Sequence, residues 1–301
     1  RYVNDSQEGL SIGVGYQTDT FSADIGSTPL GFLLPNIVGG IEWSPDWRGI
    51  DFAFGAVRRA VTSSVLSYAG MRDPITGAKW GGVVENRVYA QTGLYRENFS
   101  VSGSVRAAEF SGTRVPDNQF FGARVAGSRR IYARPSLRAY VGAAASYWHY
   151  RDNLQHYTFG SAGYYSPDSY LSLALPAEIY GSYGDWSYRL LMSVAWSTSD
   201  VARAAFYPND PELQAKAATA SLPPGYSEPF FASSSGDGFS VSGAAVVERR
   251  ISSSLVLGAS LAIDRADYYE PMALLFYARH AFGARDTLLA IPPRPLRLYS
   301  E

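Results

Sequence analysis

The sequence predicts an all-β fold, an antiparallel transmembrane β-barrel of the outer-membrane type, and three observations carry that expectation. Apolar and polar side chains alternate with period two over segments of about ten residues. Connections between these segments alternate between short and long. No apolar run reaches the roughly 18 residues that a spanning helix needs.

The clearest strand lies within 185–199. Trp186, Tyr188, Leu190, Met192, Val194 and Trp196 share one face, and Ser187, Arg189, Leu191, Ser193, Ala195 and Ser197 share the other. Ten residues separate the two tryptophans, which is roughly 33 Å along a strand. A tilt of about 40° reduces this to roughly 25 Å, the height of the apolar band of an outer-membrane barrel with an aromatic at each rim. Trp43, Trp186, Trp196 and Phe282 are therefore expected at the membrane girdles. The same alternation recurs in outward sets such as Ile37, Ile41 and Trp43, then Phe99, Val101 and Val105, then Leu171, Leu173 and Leu175, and finally Met272, Leu274 and Phe276. With a weak strand near 21–26, the pattern yields about thirteen strands.

Composition agrees with half-buried strands. Aromatics are 14% of the 301 residues, 22 of them Tyr, with 29 Gly, and aromatic side chains suit a pleated surface. A mean hydropathy of −0.11 would ordinarily suggest a water-soluble chain. A barrel strand reaches the same average because one face is apolar and the other wet. Formal net charge is −1, which gives no concentrated basic face for nucleic acid. There is no Cys, so neither a disulfide framework nor a thiolate metal site is expected. No cofactor or metal is expected either.

Short turns are predicted at 17–20, 45–48, 96–98, 127–134, 181–184 and 250–253. Long loops are predicted at 27–35, 61–82, 110–117, 151–169 and 199–235. Outer-membrane barrels place short turns in the periplasm and long loops outside the cell, so this parity fixes the orientation. The first and last strands both descend on that count. An odd number cannot close the usual even-stranded barrel, so about three upstream strands are expected to complete a total of about sixteen. Arg1 carries no signal peptide, which also suggests part of a longer polypeptide. The barrel is assigned to 1–282. The Pro-rich tail 283–301 begins at the periplasmic rim, and Pro292, Pro293 and Pro295 keep it from forming another strand.

An ordered set of segments carries a family resemblance. It comprises Ser27-Thr28-Pro29-Leu30-Gly31-Phe32, Val38-Gly39-Gly40, Arg58-Arg59 with Ser63-Ser64, and Lys79-Trp80-Gly81-Gly82-Val83. It continues through Trp148-His149-Tyr150, Gly163-Tyr164-Tyr165-Ser166-Pro167, Glu248-Arg249-Arg250 and Pro292-Pro293 with Pro295-Leu296. Together they resemble the C-terminal barrel of the bacterial cellulose synthase outer-membrane subunit family, over almost the whole chain. The resemblance implies a sixteen-stranded export porin preceded by periplasmic tetratricopeptide repeats. It implies as partners a β-1,4-glucan polymer, outer-membrane lipid and an inner-membrane cellulose synthase complex reached through those repeats. A tail that enters the lumen is also favoured by the likeness of 291–296 to the family's ending.

A glucan presents hydroxyls around its edge and apolar C–H faces, so a conducting lumen needs aromatic platforms and polar side chains. Strand parity points Trp148, Tyr150, Tyr140, Tyr89, Arg138, Glu178, Arg189, Glu248, Tyr277 and Arg279 inward as candidates. Gln91, Arg106, Arg124, Tyr180 and Asp264 face the same way. Inward charges commonly pair across the wall, because an unpaired charge in a confined space is costly. Tyr164, Tyr165, Phe230 and Phe231, in the two longest loops, are candidate gate residues over the mouth.

Two rival functions remain. Export of a cationic polymer of the poly-N-acetylglucosamine type would call for a strongly acidic lumen, and the inward charges here are mixed. An outer-membrane lipid-acting enzyme would need a serine and a histidine within hydrogen-bond reach. His149 is the candidate, with His156 in a loop and His280 near the last turn, but no nucleophile-elbow or paired-His motif accompanies them, and no catalysis is expected.

Overall fold

The computed structural model describes residues 8–265, 272–281 and 289–293. Thirteen strands pair in chain order as one antiparallel meander. They are β1 (Gly13–Gln17), β2 (Phe21–Ser27), β3 (Ile37–Trp43), β4 (Ile50–Ala60), β5 (Lys79–Tyr95), β6 (Phe99–Thr113) and β7 (Val115–Arg134). The sheet continues through β8 (Leu137–Tyr150), β9 (Ser169–Tyr183), β10 (Trp186–Val201), β11 (Ser234–Arg250), β12 (Leu255–Arg265) and β13 (Met272–His280). No helix of the described residues is long and apolar enough to cross a membrane.

The alternation read from the sequence is realised strand by strand. Val14, Ile41, Val101, Leu175, Val194, Val241 and Phe276 are all exposed large apolar side chains. In water this would be an aggregating surface; in a bilayer it is the lipid contact. The ladder between β10 and β11 runs without interruption from Trp186 opposite Arg249 to Val201 opposite Ser234. Continuous pairing matters because hydrocarbon offers nothing else to a backbone N–H or C=O.

Short turns follow β1, β3, β5, β7, β9 and β11. At the opposite end, segments 28–36, 61–78, 151–168 and 202–233 are long, and the expected parity holds. Two boundaries differ from expectation. The segment 110–117 is not a loop: β6 and β7 run on to a tight reversal at Arg114, whose φ is 54°, and Phe110, Val115 and Phe120 pack inward there instead of facing lipid. The turn expected at 127–134 is part of β7, which reverses beyond Arg134. Ser128 bonds Ser100 across the wall, Oγ to Oγ at 2.8 Å, and Arg130 reaches Glu97 at 3.0 Å. These polar residues line the rim of a strand, and a polar run of that kind imitates a loop. The long segments also hold structure that periodicity did not reveal. A short helix α1 (Val65–Ala69) and a helix α2 (Pro211–Thr219) form there, and Ala204–Ala205 pairs with Phe230–Phe231.

An apolar cluster closes over the inner wall at the long-loop end. It joins Leu66 of α1, Trp80 and Val83 of β5, Phe110, Phe120, and Leu154 and Tyr164 of 151–168. Helix α1 starts at a reciprocal cap, in which the Ser64 hydroxyl accepts from the Ser67 amide and the Ser67 hydroxyl accepts from the Ser64 amide, each at 3.0 Å. Gly81 has φ +95°, and a Cβ there would stand 2.3 Å from the Leu66 carbonyl oxygen, so only glycine lets α1 settle on β5. Asn36 donates to the Gly82 carbonyl at 3.0 Å, and Trp80 donates its indole N–H to the Ser161 carbonyl at 3.2 Å. Segments 28–36, 61–78 and 151–168 are thus tied to one another.

Truncating Leu66, which is fully buried, removes the centre of this cluster. Leu66→Ala is expected to weaken docking of 61–78 by about 2–5 kcal/mol while the wall stays intact. Limited proteolysis should cut that segment faster, with unchanged heat-dependent gel mobility of the barrel; equal protection of the segment would refute the packing role.

Candidate functional site: the inward wall and its cover

The second face of each strand is polar, and its charges are mostly paired. Arg59 makes two bonds to Asp24, at 2.7 and 3.0 Å. Arg189 pairs with Glu178 at 2.8 Å, Arg279 with Glu248 at 2.9 Å, and Arg87 with Glu85 at 3.3 Å. Tyr89 donates to Glu42 at 2.5 Å, and Tyr277 donates to Glu248 at 2.7 Å. Each of these aromatics lies flat across a glycine of the neighbouring strand. A Cβ at Gly55 would come 2.3 Å from the Tyr89 ring, and one at Gly258 would come 2.2 Å from the Tyr277 ring. Rings that fold onto the wall in this way leave the space beside them open.

Trp148 stands on the inner wall next to the apolar cluster, near the long-loop end of β8. It stacks on Tyr170 of β9 with ring centroids 4.4 Å apart. The Arg106 guanidinium lies 5.7 Å from its ring and 4.8 Å from that of Phe120. Tyr140 and Tyr180 form a second stack nearer the short turns, at 5.7 Å, with Arg138 6.0 Å from the Tyr180 ring. Two adjoining cavities run along this wall. One, of about 690 Å³, is lined by Glu42, Arg59, Tyr89, Arg106 and Trp148. The other, of about 870 Å³, extends toward the short turns past Asp51, Ser102 and Arg124.

Most of the inward candidates therefore face the interior as parity requires, but Tyr277 and Glu248 are buried in the wall and Tyr150 is partly buried. Tyr150 sits under the cover among Phe110 at 5.5 Å, Phe120 at 4.8 Å and Tyr164 at 5.9 Å. Glu248 is fully buried, with one carboxylate oxygen lacking a partner among the described residues. Tyr170, Glu42 and the Asp24–Arg59 pair were not among the candidates. Outward Leu171 already placed Tyr170 inward, and only the register, Trp148 opposite Tyr170, brings the two rings together.

The gate candidates divide. Tyr164 is buried, stacked 5.0 Å from Phe110, and its hydroxyl accepts from Asn118 at 3.1 Å; burial pushes that hydroxyl well above the usual tyrosine range. Tyr165 remains partly exposed beside Tyr170. Phe231 stacks on His156 at 3.5 Å, which joins segment 202–233 to segment 151–168. Arg203 lies 3.8 Å from the Phe230 ring and pairs with Glu228. Of the girdle residues, Trp43 stacks on Phe54 at the short-turn end at 5.9 Å, and Trp186 lies at the same end. Trp196 lies toward the long loops opposite Phe239. Phe282 and the Asp264 side chain lie outside the described residues. His149 bonds the Asp168 carbonyl at 2.5 Å, and no metal-holding group of His, Asp or Glu occurs among the described residues.

An antiparallel meander with an apolar exterior, aromatics at both rims and a polar inner wall defines an outer-membrane β-barrel. The family model described as "Cellulose synthase operon protein C C-terminus" matches residues 2–283, and the chain belongs to that family. Cellulose synthase operon protein C of Salmonella typhimurium is 32% identical over 305 residues, covering 99% of this chain and 25% of that protein. The Escherichia coli K12 protein of the same name is also 32% identical, over 99% of this chain and 26% of the relative. One from Komagataeibacter xylinus is 34% identical over 211 residues, 70% of this chain and 16% of the relative. The chain thus spans about a quarter of the first two. Among solved structures, a "Bacterial polysaccharide outer membrane secretin" shares the fold with a TM-score of 0.54 at 13% identity, over 89% of this chain and 76% of that one.

His156 offers a direct check on the join between the loops. Burial against Phe231 lowers its pKa to about 4 from an ordinary value near 6.5. The released imidazole then binds more protons than the docked one between those values. The contact is fully favoured above about pH 6.5 and is progressively lost as pH falls toward 4. Titration of the His156 ring by NMR should give a midpoint below 5, and an ordinary midpoint would show that the two loops do not pack as described.

Proposed function

We propose that the barrel is the passive outer-membrane exit of a cellulose-secreting system, conducting a β-1,4-glucan chain from the periplasm to the cell surface. The observation that carries this reading is the chemistry of the inner wall. Stacked aromatics at Trp148–Tyr170 and Tyr140–Tyr180 offer faces for the apolar side of a sugar ring, and the hydroxyl and amide groups between them suit its edge. The charges neutralise one another in the Asp24–Arg59, Glu85–Arg87, Glu178–Arg189 and Glu248–Arg279 pairs. The remainder is mixed, with Arg106, Arg124 and Arg138 set against Glu42 and Asp51 of the cavity walls. A neutral polymer passes such a wall without a strong well or barrier, and a polycation of the glucosamine type finds no strongly acidic wall to attract it.

On this reading the cluster around Leu66, Trp80 and Tyr164 is a cover over the extracellular mouth, and Trp148 lies directly beneath it. The names of the relatives support a role alongside an inner-membrane synthase, reached through periplasmic repeats upstream of the barrel. The segment 289–293 is assigned to the interior at the periplasmic end. Ser187, Val246, Glu248, Val256 and Tyr277, all inward near the short turns, are nearly or fully buried, and Pro293 is itself fully buried.

Liposome swelling with full-length protein tests the proposal. Tyr164→Ala, which loosens the cover, is expected to raise uptake of cello-oligosaccharides. Adding Trp148→Ala to it should lower that uptake roughly fivefold, the factor that about 1 kcal/mol of lost ring stacking represents. Equal uptake of neutral cello-oligosaccharides and cationic glucosamine oligomers would overturn the assignment to a neutral glucan.

A further inference from the structure

Arginines on the outer face of the wall gather at the short-turn rim. Arg129 of β7 stands opposite Phe99, and Arg249 of β11 stands opposite Trp186 with its guanidinium 5.1 Å from the indole. Arg134, at the end of β7, lies 5.7 Å from the Tyr132 ring. Arg48 lies 5.1 Å from that of Trp47 in the turn after β3. All four are exposed, and none has a carboxylate within ion-pair distance among the described residues. Inward Arg59, Arg87, Arg189 and Arg279 are paired, whereas inward Arg106, Arg124 and Arg138 line the cavities or stack on rings. Carboxylates do occur at the same rim, in its turns. Asp185 holds Arg250 at 2.7 Å, Glu97 holds Arg130 at 3.0 Å, Asp46 accepts from the Gly49 amide at 3.2 Å, and Asp19 is exposed.

An arginine that faces a bilayer is costly at mid-depth and nearly free at the headgroup level, so these four mark that level. A guanidinium is a planar fork that fits two phosphate oxygens, and the neighbouring ring holds it in place from one side. A second feature adjoins Arg129. The outer wall above it is hollowed into an apolar groove of about 560 Å³, floored by Gly127, Ala143 and Ala145 and walled by Leu175, Trp196 and Phe239. Gly127 and Arg129 share a face of β7 two residues apart, roughly 7 Å, the separation of a lipid phosphate from the start of its acyl chain.

We propose that this rim is a binding surface for anionic diacyl glycerophospholipid of the inner leaflet, with phosphate on Arg129 and one acyl chain in the groove above it. Arg48, Arg134 and Arg249 hold headgroups of the same class around the rim. The charge of the rim selects the lipid, and the depth of the groove selects a chain over a free headgroup. The surface belongs to the exterior of the barrel and stands whether or not the interior conducts glucan.

Native mass spectrometry of the full-length protein, titrated with phosphatidylglycerol or phosphatidylcholine of matched chains, tests this. The anionic lipid is expected to bind roughly tenfold more tightly. That preference should vanish in the Arg48→Gln, Arg129→Gln, Arg134→Gln, Arg249→Gln variant. Ala143→Phe, which fills the groove without changing charge, should remove the tightest-bound lipid even if the fourfold variant fails to fold. Equal affinity for the two lipids overturns the proposal, as does a preference that survives in the folded fourfold variant. Equally tight binding of glycerol phosphate alone, or dimers that Ala143→Phe abolishes, would assign the surface to a free phosphate or to a second copy of the chain instead.

Discussion

A polypeptide that crosses hydrocarbon as strands must pair every backbone donor and acceptor within itself, because an unpaired peptide group there costs several kcal/mol. The rest of the molecule is arranged around that requirement. It makes the sheet a meander in which each strand between the first and the last bonds both neighbours, with few register shifts such as that at Ala139 and Tyr140. Strand geometry then divides the side chains, one face to acyl chains and the other to the interior. The stabilising apolar cluster accordingly lies at the mouth, where loops leave the ladder and can fold over one another, rather than in the centre of the barrel.

The inner wall shows how a narrow interior carries many charges without a strong field. Arginine is placed against carboxylate on the next strand or the one beyond, as in Arg59 with Asp24 and Arg189 with Glu178, so that the groups neutralise one another across the ladder. Aromatics are held flat over cross-strand glycines or stacked in pairs. Both devices keep bulky and charged groups against the wall. At the mouth the same residue types act differently: Trp80, Phe110 and Tyr164 interlock in a cover whose hydrogen bonds run through Asn118, Asn36 and the Trp80 indole.

The segments that carried the family resemblance acquire a physical reason from this cover. Ser64 caps α1, Trp80 and Gly81 receive it, and Gly163-Tyr164 closes over it, though these residues are far apart in the chain. Short polar or glycine-containing pieces such as these have no periodicity of their own. Their spacing in the sequence says nothing of their convergence.

Period two and loop parity by themselves determined the fold class, the count of described strands, and which side chains of each strand share a face. These follow from strand geometry and the bilayer's thickness, which act on each segment locally. Tertiary structure alone decided how the inward residues are used: Trp148 stacks on Tyr170, Tyr150 packs against Tyr164, and Glu248 is buried between Tyr277 and Arg279. It also turned the expected loop 110–117 into a tall hairpin and the expected turn 127–134 into strand. Those outcomes depend on register between strands and on the packing of distant loops, and a one-dimensional pattern contains neither.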